Sequence, residues 1–146
     1  MLEKVLVVND NELLLMIAKK MINMNHFAKE TITATDGLEA LEYFDDLLQN
    51  ESDPSSSAPE FMFLDLHMPN MNGWEFLKIF TEKYSTHFPN LRVAILSASV
   101  EMDEILLLLK YPIVVDFVST PICDEVLENI KNKYFLKEFQ RAPAII

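Results

Sequence analysis

The stretch Phe-Leu-Asp-Leu-His-Met-Pro-Asn-Met-Asn-Gly, residues 63–73, decides the fold. An apolar run from Phe61 to Leu64 stops at Asp65, and Asn72-Gly73 then opens a segment carrying Trp74, Leu77 and Phe80 at helical spacing. A buried strand, an acid at its carboxyl end and a fresh helix start are thus packed into about a dozen residues.

The same unit repeats on both sides. Toward the amino end, Lys4 to Val8 is a short apolar run stopping at Asn9-Asp10-Asn11, followed by Leu13, Leu14, Ile17, Met21 and Met24 at helical spacing. Glu30 to Ala34 is a second strand candidate, and Asp36-Gly37 introduces Leu38, Leu41, Phe44 and Leu48. Toward the carboxyl end, Leu91 to Leu96 stops at Ser97, a short helix spans Met102 to Lys110, and Val114 to Val118 stops before Thr120-Pro121. A last helix is expected over Cys123 to Phe139, with Val126, Leu127, Ile130, Tyr134 and Leu136 toward the core and Cys123 a small buried hydrophobe at its start. Five strands alternating with five helices predict an α/β fold, a doubly wound five-stranded parallel sheet, because parallel strands need crossovers and the helices supply them. Residues 49–60, with Pro54, Ser55, Ser56, Ser57 and Pro59, are expected to form an exposed, mobile loop.

Composition bounds what such a domain does. The 146 residues carry 12 Lys+Arg against 23 Asp+Glu, a net charge of −11, and 50% are hydrophobic. One domain over 1–146, with its core at about 4–139, is the expectation for that length. The acidic balance argues against nucleic acid and anionic membrane surfaces as partners. The longest apolar runs, such as Ile105 to Leu109, are far too short to cross a bilayer, and Met1-Leu2-Glu3-Lys4 leads into a strand without a signal-peptide layout. With Cys123 alone, neither a disulfide nor a cysteine metal cluster forms within one chain, and a cytoplasmic setting is expected. Two glycines are too few for a dinucleotide-binding loop.

In a doubly wound sheet, ligands sit outside the carboxyl ends of the strands. Those ends place Asn9 and Asp10, Asp65, Ser97, and Thr120 on one edge. Two carboxylates with an amide and two hydroxyls suit a hard, oxygen-seeking divalent cation such as Mg²⁺. With its charge offset in that way, Asp65 is suited to attack a phosphoryl group.

These residues carry a resemblance to the response-regulator receiver family of two-component signalling, whose fold is flavodoxin-like. It rests on Val-Leu-Val-Val-Asn-Asp at 5–10, the 63–73 stretch already quoted, Ile-Leu-Ser-Ala at 95–98 and Phe-Val-Ser-Thr-Pro at 117–121. The resemblance implies that Asp65 is the phosphoacceptor, and that Asp10, Asp65 and the backbone carbonyl of His67 bind Mg²⁺, with Asn9 contributing through water. It implies that Ser97 is the switch hydroxyl and Phe117 the aromatic switch. It further implies a bacterial phosphorelay protein whose aspartyl phosphate is received from a histidine kinase or phosphotransfer protein and read by a separate output protein. Such a domain is not an enzyme beyond self-phosphorylation and autodephosphorylation.

Two positions depart from that pattern. Thr120 stands where the family has a Lys, and Asn9 where it has a second acid. Three carboxylates and one Lys give a site charge of about −2, and two carboxylates without Lys give the same, so the changes offset one another. The alternative is a pseudo-receiver of the same fold, a phosphorylation-independent interaction module, which Thr120 favours. A phosphatase of related topology fits less well, because it needs the missing Lys too. Away from the site, Asp36 to Glu60 holds eight acids and no base, a solvated face, while Lys131, Lys133, Lys137 and Arg141 gather on the last helix. The eight methionines read as core filling.

Overall fold

The structure is a computed structural model, and it describes residues 1–97 and 101–139. Five strands, β1 (Leu2–Val8), β2 (Ala28–Ala34), β3 (Phe61–Asp65), β4 (Arg92–Leu96) and β5 (Val114–Val118), form one parallel sheet in the order β2-β1-β3-β4-β5. The helices are α1 (Glu12–Met24), α2 (Gly37–Asn50), α3 (Pro54–Ser57), α4 (Gly73–Lys83), α5 (Met102–Leu108), α6 (Asp124–Tyr134) and α7 (Leu136–Phe139). The expected doubly wound architecture is the one observed.

Side-chain alternation along the strands builds two cores. Leu6 and Val8, Met62 and Leu64, and Val93 and Ile95 face one side, where Leu41, Phe44, Phe76 and Phe80 of α2 and α4 cover them. Val5 and Val7, Phe61 and Phe63, and Ala94 and Leu96 face the other, under Leu15, Ala18 and Ile22 of α1 and Leu127 and Ile130 of α6. Both faces of the central strands β1, β3 and β4 are therefore buried, as their apolar runs require.

Several details differ from the sequence reading. Helix α1 buries Leu15, Ala18 and Ile22 and leaves Leu13, Met16 and Met24 exposed. From Leu13 to Ala18 every residue is apolar, so spacing alone does not select a face. Half the methionines, Met1, Met16, Met24 and Met102, lie on the surface rather than filling the core. Within 49–60, α2 runs on to Asn50, Pro54 starts a helical turn as its fixed φ favours, and Lys4 Nζ donates to the Ser57 carbonyl at 2.9 Å. The last helix ends at Tyr134, and α7 follows with Leu136 exposed. Cys123 stands at the N-cap position of α6 without a side-chain cap bond and is exposed, not buried.

Candidate functional site

The carboxyl ends of β1, β3 and β4 and the residue pair after β5 enclose a cleft of about 350 Å³. Its walls include Asn9, Asp10, Asp65, His67, Ser97 and Thr120, so six of the seven residues singled out from sequence come together. Phe117 does not line it. That ring packs partly buried against the core and faces a separate groove with Val118, Cys123 and Val126.

Each wall is placed by local backbone chemistry. Asp65 is the last residue of β3, aligned with Leu96, so Ser97 follows it on the neighbouring strand end. Ser97 N–H donates to the Val118 carbonyl at 2.9 Å, which fixes the β4 end against β5. Helix α5 has Glu101 at its cap position, so Ser97 does not cap it. Asn9 is 3% exposed, and its side-chain oxygen accepts from Asn11 N–H at 3.0 Å, a local turn that aims the following residues out of the sheet. Asn11 in turn caps α1 by accepting from Leu14 N–H at 3.1 Å. The Thr120–Pro121 peptide is cis.

Asp65 is held in poorly solvated surroundings. Burial pushes its carboxyl above the usual range, the charge of Asp10 adds to that, and amide hydrogens of His67 and Leu66 pull the other way. His67 N–H approaches Asp65 Oδ1 at 3.4 Å, and the residue is otherwise exposed at the rim of the cleft.

One wall residue escaped the sequence reading. Glu104, in the first turn of α5, also lines the cleft, so three acids face it with no Lys or Arg among the lining residues. The place of Glu104 at the strand ends is a matter of tertiary packing, which no local spacing encodes. Among the described residues, no group of three or more His, Cys, Asp and Glu side chains is placed to hold a metal ion, so Glu104 does not complete a ligand set with Asp10 and Asp65. The available donors are two carboxylates, backbone carbonyls and an amide, all oxygen. That set fits Mg²⁺, which binds through one or two carboxylates and keeps several waters.

Two of the basic residues of the last helices are engaged elsewhere. Lys131 donates to the Asn25 carbonyl at 2.9 Å and lies 5.0 Å from the Phe139 ring centre, and Lys133 pairs with Asp116 at 3.3 Å. Arg141 lies outside the described residues. No helix among them is long and apolar enough to cross a membrane.

The transcriptional regulatory protein CitT of Halalkalibacterium halodurans is 26% identical over 136 residues, which are 93% of this chain and 54% of that protein. A protein-glutamate methylesterase/protein-glutamine glutaminase of Thermotoga maritima is 35% identical over 57% of this chain and 21% of its own length. The chain thus spans about half of the first and about a fifth of the second. Among solved structures, a two-component response regulator from Cytophaga hutchinsonii superposes with a TM-score of 0.79 at 24% identity, covering 90% of this chain and 96% of that one. The sequence model of the response regulator receiver domain matches residues 5–132, and the chain belongs to that family.

Proposed function

We propose that this receiver domain accepts a phosphoryl group on Asp65 in a Mg²⁺-dependent step and passes the signal on by changing which protein it binds. The supporting observation is the cleft itself, in which the carboxylates of Asp10 and Asp65, the Ser97 hydroxyl and the loop bearing the His67 carbonyl line one space at the strand ends. An Asp65 carboxylate oxygen attacks phosphorus, the bond from phosphorus to the donor's leaving atom breaks, and an acyl phosphate remains on Asp65. The donor is a phosphohistidine of a kinase or phosphotransfer protein, or a small acyl phosphate. Bound Mg²⁺ would offset the negative charge gathered on the carboxylates and the phosphoryl oxygens. Asp10 and the His67 carbonyl would hold it, and the Ser97 hydroxyl would donate to a phosphoryl oxygen. Asn9, whose side-chain oxygen accepts from Asn11 N–H, would contribute through water. Phe117, at the aromatic-switch position, lies outside the cleft on the β5 flank.

Incubation with Mg²⁺ and acetyl phosphate, followed by mass spectrometry, tests this reading. A phosphoryl increment localised to Asp65 and lost in Asp65→Asn is expected. Its absence, under conditions that label an ordinary receiver, leaves the phosphorylation-independent interaction module, for which Thr120 in place of a cation is the structural argument.

A further inference from the structure

Residues 66–72 join β3 to α4 and include His67, and this loop is fastened at both ends. At its base, Gly73 N–H donates to the Leu66 carbonyl at 2.9 Å. At its tip, two bonds cross to the start of α2. Asn70 Nδ2 donates to Asp36 Oδ2 at 2.8 Å, and Gly37 N–H donates to the Met71 carbonyl at 2.9 Å. Asn70 has a φ of 60°, in the left-handed region that Asn tolerates better than most residues. Contact at the tip is close, since a β-carbon on Gly37 would lie 2.9 Å from both the Met71 carbonyl oxygen and Met71 Cγ.

Capping does not account for this arrangement. Asp36 Oδ1 already accepts from Glu39 N–H at 2.9 Å, which is all that an N-cap requires and which Asn or Ser also provides. Yet Asp36 is only 6% exposed, and its second oxygen is directed to the loop. A buried carboxylate bonded to an amide donor makes a stronger, charge-assisted tie than a neutral pair.

We propose that Asp36 and Asn70 are positioning residues for the Asp65 site, clamping the loop tip to α2 so that the His67 carbonyl is held beside Asp65. The inference rests on the cleft being a Mg²⁺-dependent phosphoacceptor site. Neither residue lines the cleft, so the clamp acts only through the loop it holds.

The test compares Asn70→Asp, Asn70→Ala and the exchange Asp36→Asn/Asn70→Asp. In Asn70→Asp two carboxylates oppose each other and the clamp opens. The exchange restores a donor and an acceptor with their places reversed, and Asn at position 36 still caps α2. Mg²⁺ affinity is read from Trp74 fluorescence, and hydrogen exchange at the Gly37 amide is read in metal-free protein. Thermal unfolding without metal verifies that each variant is folded.

Asn70→Asp and Asn70→Ala are expected to bind Mg²⁺ about tenfold more weakly, the range typical of groups that orient a ligand, and to exchange the Gly37 amide faster. The exchange variant is expected to recover both. An added acid near a cation site tightens binding by charge alone, so weakening in Asn70→Asp reports geometry. Unchanged Mg²⁺ affinity in the two single variants, or no recovery in the exchange, overturns the clamp. If the unaltered protein neither responds to Mg²⁺ nor is labelled at Asp65, the phosphoacceptor reading falls, and the clamp's role falls with it.

Discussion

A β-carbon on Gly73 would stand 2.5 Å from the carbonyl oxygen of Asp65 and 2.9 Å from Leu66 Cα. Both neighbours are backbone, so no side chain can rotate away. The helix opened by Asn72-Gly73 therefore presses directly on the residue proposed to react.

Gly73→Ala is expected to destabilise the fold by about 1–3 kcal/mol, the usual cost of overpacking a tight site. Helix propensity alone favours Ala over Gly by up to ~1 kcal/mol, so the sign of the change separates the two effects. Urea unfolding gives the stability. Labelling by acetyl phosphate should fall as well, because the displaced backbone is that of Asp65.

Thr120→Lys places an ammonium in a cleft whose wall has three acids and no Lys or Arg. Mg²⁺ affinity should weaken by about fivefold, corresponding to an added repulsion on the order of 1 kcal/mol at protein-surface dielectrics. Fluorescence titration at Trp74 measures it. The response to beryllofluoride, a stand-in for the phosphoryl group, should grow if the Lys contact is what the natural sequence has given up. A variant matching the unaltered protein in both respects removes support for mutual compensation between Asn9 and Thr120.

Asp65→Asn is expected to abolish labelling and, in metal-free protein, to raise the unfolding temperature at neutral pH. Burial and the Asp10 charge raise the folded-state proton affinity of Asp65 above its ordinary pKa of 3.8. The group's stabilising contribution is therefore complete below that pH and is lost as pH rises through the folded-state value. The advantage of Asn should be absent in acid and develop as pH rises above about 4. Melting curves across that range test it, and an advantage that is constant with pH contradicts the electrostatic cause.

The Tyr84 hydroxyl donates to Asp45 at 2.5 Å, tying α4 to α2. Burial and the Asp45 carboxylate push its pKa up to about 12, and burial with the charges of Glu30 and Glu51 does the same for Tyr43. Protons held more tightly in the folded state give stability that is full below pH 10 and is lost as pH rises toward 12. Ultraviolet titration should show these two tyrosines ionising late. Tyr84→Phe should remove one late ionisation and cost about 1 kcal/mol, the net worth of a typical hydrogen bond plus the partner left behind.

The parallel sheet and the residues at its strand ends were legible because the central strands β1, β3 and β4 each carry a short apolar run ended by a polar residue, a pattern that survives without knowledge of partners. Which face of α1 packs inward was not, since Leu13 to Ala18 is apolar throughout and only the docked sheet selects Leu15, Ala18 and Ile22. Asp36-Gly37 signalled a helix start, yet nothing local tied it to Asn70, 34 residues away. Glu104 was hidden for the same reason: its place in the cleft depends on how the chain returns from β4, which no periodicity encodes. Phe117 shows the converse, a position matched by motif whose ring lies outside the cleft.

The cleft draws on residues from Asn9 to Thr120, and its last wall follows β5, at an edge of the sheet. A chain still emerging from the ribosome thus has Asp10 and Asp65 long before it has an enclosed site. The enclosed cleft is therefore a late product of folding, complete only when β5 and Thr120 have joined the sheet edge.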